Sequence, residues 1–201
     1  MRAVGFRVKS GFAIAVVLDG SPEVPQALAR QVVALCDPDA IETRQPYHRD
    51  FYKTEEDPRE IARRLKIVER CAKRSVEGLV REICRAPALD ARGVRAALVV
   101  GSVIDPANIA NPHIRAHAEE GRLFRTVLGD ALRSHGIECE VIVDKQLAQR
   151  AATHLGRPPS AIARTLTIFA KTLGGPWRAD EKAAATAAWL ALNPKRNLVI
   201  G

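Results

Sequence analysis

Two histidines one helical turn apart, with an acid a turn further on, are the residues here best spaced for chemistry. His113, His117 and Glu120 recur at i, i+4 and i+7 in the stretch PHIRAHAEE. Residues at that spacing share one face of a helix, and paired imidazoles on such a face can hold a transition-metal ion. The stretch lacks the glutamate that zinc-protease helices carry between their histidines. A polar helix face beside Ile114, Ala118 and Gly121 accounts for the same residues without an ion, so no metal is expected there. A second constellation is RQPYHRDFYK, where Tyr47, Phe51 and Tyr52 alternate with Arg44, His48, Arg49 and Lys53. Aromatics among cations can stack on bases and neutralise phosphates. They can equally anchor a long loop to a core, which is the preferred expectation. A third is a stripe of Arg63, Arg70 and Arg74, which could track a phosphate backbone or simply be solvated.

Other chemistry is missing from the sequence. It has no phosphate-binding glycine loop, no dinucleotide fingerprint and no nucleophile elbow. Cys36, Cys71, Cys84 and Cys139 form no C-x-x-C pair and no zinc spacing, which predicts thiols in a reducing, cytoplasmic setting. The apolar run Phe12 to Leu18 is too short for a secretion signal and ends in the turn Asp19-Gly20-Ser21-Pro22. No run approaches the ~18 apolar residues of a membrane span. The formal net charge of +8 favours anionic partners such as DNA or RNA, or else serves only to keep copies apart.

The elements that must position these residues follow from pattern. At 201 residues and 47% hydrophobic, the chain can bury a core as a single domain over 1–201. Ala3 to Val8 and Phe12 to Leu18 read as strands around a turn at Lys9-Ser10-Gly11, and Leu28 to Leu35 as a third. Residues 36–57 read as an irregular insertion. Asp57-Pro58-Arg59-Glu60 is a helix start, with Asp as the cap and Pro in the first turn. Ile61, Leu65, Val68, Ala72, Val76, Leu79 and Ile83 then form one apolar stripe, with the arginines, Arg64 among them, on the solvated face. A buried strand over 95–101, a helix from Asn111-Pro112 to about His135 and an alternating edge strand over 137–143 come next. Helices over about 146–155, 159–173 and 180–192 close the chain. This order predicts an α/β domain with a mixed sheet covered by helices.

Three strands, then helix, strand, helix, strand and closing helices, resembles the ribonuclease H-like fold. Three stretches sharpen the likeness toward RuvC-type Holliday-junction resolvases. AATHLGRPPSAIARTLTIF is similar to the segment after their fifth strand, RADEKAAATAAWLAL to their final helix, and VGFRVKSGFAIAV to their first hairpin. The resemblance spans about residues 3–18 and 95–192, and it implies a five-stranded mixed sheet flanked by helices in three layers. It also implies phosphodiester hydrolysis by two cations held between convergent carboxylates. At the matching positions the acids are largely missing. The first-strand Asp falls on Arg7, and the carboxylate after the fourth strand falls near Gly101 or Ser102. Asp180 matches, but its partner a turn later falls near Ala183 or Ala184. Arg7 is therefore expected to take the place of the metal and pair with Asp180 or another nearby acid.

The expected function is then a non-catalytic RuvC-like domain that binds nucleic acid or scaffolds its processing. Arg7, Lys9, Ser102, Arg63, Arg70 and Arg74 would meet phosphates, and no cofactor would be needed. One alternative is an active nuclease using Mg²⁺ or Mn²⁺ on a relocated set of Asp105, Asp144, Asp180 and Glu181. Another is a protein-interaction module, for example a homodimer.

Overall fold

The opening hairpin forms as its pattern predicts. β1 (Arg2–Lys9) and β2 (Phe12–Gly20) are antiparallel, and Gly11 turns between them at φ 83°, where an L side chain would be strained. This computed structural model describes residues 1–50, 53–84 and 91–193, the side chain of Arg92 excepted. β3 (Pro25–Ala34) pairs with β2 and begins earlier than the expected Leu28; proline is tolerated because β3 is an edge strand. β4 (Val94–Val100) lies parallel to β1, and β5 (Cys139–Val143) parallel to β4. The sheet order is β3-β2-β1-β4-β5, so the alternating fifth strand is at an edge, as expected.

Five helices cover this sheet. They are α1 (Pro58–Ile83), α2 (Pro112–Arg133), α3 (Asp144–Leu155), α4 (Pro159–Leu173) and α5 (Ala179–Ala191). Asp57 caps α1 by accepting from the Arg59 backbone N–H, and Asn111 caps α2 by accepting from that of Ile114. Val4, Phe6 and Val8 pack with Val68, Ala72, Phe124 and Leu128, so α1 and α2 cover one face. Ala3, Ile14, Val16 and Leu18 pack with Ile162, Phe169, Ala184 and Trp189, so the later helices cover the other. A mixed five-stranded sheet between two helical layers is the α/β class expected from the order of elements. No helix among the described residues is long and apolar enough to cross a membrane.

Two local features set the site. The residues of β1 alternate, so Ala3, Gly5, Arg7 and Lys9 point to the α5 side. Gly5 lets α5 approach very closely: an added Cβ would stand 2.0 Å from the Ala184 carbonyl oxygen and 2.3 Å from the Ala188 nitrogen. The alanines of α5, buried from Ala183 onward, complete this contact. The second feature corrects the expected polar face of α1. Arg64 is buried, not solvated. Its guanidinium donates to the Pro46 and His48 carbonyls and to Glu55 and Glu60, which offsets the cost of burying the charge and pins both limbs of the 45–56 segment to the helix.

Candidate functional site

At the C-terminal ends of the parallel strands β1 and β4 lies a cleft of about 330 Å³, lined by Arg7, Lys9, Ser102, His117 and Arg125 among others. Open α/β sheets place ligands outside such strand ends. Arg7 stands at one side of it, largely buried, between two helix starts. Asp144 is in the first turn of α3 and Asp180 in the first turn of α5, where a carboxylate complements the amide dipoles. Arg7 Nη2 donates to Asp144 Oδ2 at 2.9 Å, and Arg7 Nε to Asp180 Oδ1 at 3.4 Å. Lys9 Nζ is 3.5 Å from the same Asp180 oxygen. The two acids are partly exposed, so each pair is worth only about 1 kcal/mol or less. Their significance is positional: a guanidinium holds the space between two carboxylates. Arg7 Nη1 is enclosed and has no hydrogen-bond partner among the described residues.

The other expected acids are elsewhere. Glu181 is buried and accepts from the Arg178 backbone N–H at 2.8 Å, closing a capping box at its own helix start, while Oε1 faces Arg30 at 3.6 Å. Asp105 accepts from the Ala107 backbone N–H, capping a short 3-10 turn. Of the relocated set, then, Asp144 and Asp180 meet across Arg7, whereas Asp105 and Glu181 use their carboxylates on local backbone. Ala183 and Ala184 are buried against the sheet. Ser102 is exposed, and its carbonyl accepts from Arg125 Nη1 at 3.3 Å. Arg125 was not singled out from the sequence, and among the described residues it has no carboxylate at ion-pair distance.

The arginine stripe of α1 is divided. Arg63 is held by Glu60 at 2.6 Å and by Glu42 at 2.7 Å, so its charge is already met. Arg70 and Arg74 are exposed, and no described carboxylate pairs with them. They line the outer surface of α1, apart from the strand-end cleft. In the irregular segment Tyr47 is half-buried, in keeping with an anchor, while Phe51 and Tyr52 lie outside the described residues. None of the four cysteines is in a disulfide, and Cys71 is buried.

The histidines gain a member that the sequence did not offer. His48, from the irregular segment, lies against His113 and His117 of α2, with ring centroids 5.0 and 4.4 Å from its own and 4.7 Å between the other two. Glu120 is not one of the converging groups but a support beneath them. Its Oε1 is 2.7 Å from His48 Nδ1, and its Oε2 is 3.3 Å from His117 Nδ1. Burial pushes the Glu120 carboxyl up to about 7 and lowers the His48 imidazole, so both lean toward their neutral forms. No periodicity links residue 48 to α2. The signal available in the sequence was a histidine inside an aromatic-rich loop.

No protein-family model matches the chain, and no curated protein does. Among solved structures it is similar to Thermus thermophilus RuvC, at 13% identity and a TM-score of 0.49 over 94% of this chain and 92% of that one. It is also similar to T. thermophilus RuvC in complex with Holliday junction substrate, at 12% identity and a TM-score of 0.49 over 94% of this chain and 91% of that one.

Proposed function

We propose that this chain is a nucleic-acid-binding protein of ribonuclease H-like fold that holds a phosphate backbone at its strand-end cleft without cutting it. The observation that carries the reading is Arg7 bonded to both Asp144 and Asp180. A fixed guanidinium there repels divalent cations and satisfies the carboxylates that would otherwise bind them. Two further acids that a cation pair would need, Asp105 and Glu181, cap backbone instead. Lys9 and Arg125 extend the positive lining of the cleft, and the net charge of +8 supports an anionic partner. Such contacts position a backbone and carry no sequence preference.

Binding to a four-way DNA junction and to a linear duplex, read by fluorescence anisotropy, tests this. About three phosphate contacts give a salt slope near −2.7, a loss of roughly 40-fold in affinity between 50 and 200 mM salt. Arg7→Glu or Arg125→Glu should weaken binding further, and no cleavage should follow addition of Mg²⁺ or Mn²⁺. Salt-insensitive or absent binding would overturn the reading. So would metal-dependent cleavage that Asp180→Asn abolishes, which would establish the nuclease alternative.

A further inference from the structure

We propose that His48, His113 and His117 form a site for one divalent transition-metal ion of the zinc class, with Glu120 positioning His48. One ring nitrogen from each histidine lies within 4.8 Å of the other two. His48 is almost wholly buried, its Nδ1 is engaged by Glu120, and its Nε2 is enclosed with no hydrogen-bond partner among the described residues. His113 Nδ1 is likewise enclosed and unpartnered among them. An orphaned buried nitrogen costs about 1–3 kcal/mol, and folds seldom tolerate two side by side. A cation that accepts the lone pairs removes both penalties at once.

The donor set selects the ion. Three imidazoles suit zinc, cobalt, nickel or copper, whereas magnesium and calcium demand oxygen ligands. Tetrahedral zinc bonds of ~2.0–2.1 Å put ligand nitrogens about 3.3 Å apart, so the trio must draw in slightly from its present spacing. His117 has the freedom to do so, since nearly half of its side chain is exposed. His117 also lines the strand-end cleft. The carboxylate-to-histidine contact beneath the trio is the support that orients a metal-binding imidazole and fixes its tautomer. The ion would fasten to α2, through the His48 side chain, a limb whose backbone α1 already holds through Arg64.

The test needs no nucleic acid, so it stands or falls apart from the binding function proposed above. Tag-free full-length protein is titrated with Co²⁺ and followed by its visible absorption. One equivalent should give a four-coordinate spectrum that one equivalent of Zn²⁺ displaces and excess Mg²⁺ does not. His117→Ala, at an exposed position that leaves folding intact, should abolish the signal. His135→Ala should keep it. Glu120→Gln should fold as judged by circular dichroism and weaken binding roughly 10- to 100-fold. Absence of saturable binding, a six-coordinate spectrum, or binding unchanged in His117→Ala would overturn the site.

Discussion

Replacing Gly5 by alanine adds one methyl group where the backbone of α5 already lies. The new carbon would stand 2.0 Å from the Ala184 carbonyl oxygen, and ordinary contact begins at 3.4 Å, so strand and helix must part by about 1.4 Å. The backbone of Gly5 is in a region open to alanine, so the whole effect is steric. Overfilling a packed core typically costs about 1–3 kcal/mol. Here the obstacle is main chain and cannot rotate away, which puts the expected loss at the top of that range, about 3 kcal/mol. For a chain of this size each kcal/mol moves the midpoint by about 2–4 °C, giving a fall of roughly 6–12 °C. Gly78→Ala is the matched control. Gly78 is exposed within α1 with nothing near the added carbon, so the same substitution should gain about 0.5–1 kcal/mol in helix propensity. Thermal and urea unfolding of both variants read the two signs. A Gly5→Ala midpoint within 2 °C of the parent would refute the close approach of α5, and with it the placement of Asp180 beside Arg7.

Arg7→Asp should put a third carboxylate beside Asp144 and Asp180, lower stability by about 1–3 kcal/mol without cations and create a Mg²⁺-dependent rise in melting temperature; a melting curve indifferent to Mg²⁺ would count against convergence of the acids. Arg64→Ala should strand the largely buried Glu55 carboxylate at a cost of about 3–5 kcal/mol, read by urea unfolding against the parent. Glu60 is held at about 2, below its ordinary 4.5, first by hydrogen bonds from Arg63 and then by those from Arg64. Because the folded value is depressed, its contribution is present above pH 4.5 and lost as pH falls toward 2, so Glu60→Gln should flatten the parent's acid loss of stability in that window.

The parts legible in the sequence were those written locally. The Asp57-Pro58 start of α1, the hairpin turning at Gly11 and the alternating edge strand each carry their cause within a few residues. Arg7 opposite Asp180 was legible only through resemblance, because strand and helix are joined by packing rather than by spacing. Asp144 was named as an approaching acid, and its arrival depends on the short junction between β5 and α3. Arg64 was misjudged because helical periodicity places charge outward, whereas here an irregular segment comes to cover that face. His48 was missed as a companion to His113 and His117 for the same reason: the segment that carries it has no period to extrapolate.

The burial of α5 has a consequence for biogenesis. Its residues from Ala183 to Leu190 are enclosed in succession, so the last described helix is the innermost one. While the ribosome is still translating the earlier elements, the face formed by Ala3, Ile14, Val16 and Leu18 has no cover of this kind. A product cut short before residue 179 would therefore keep α3 and α4 on this face but leave bare the apolar strip that α5 covers, a natural client for chaperones and for degradation.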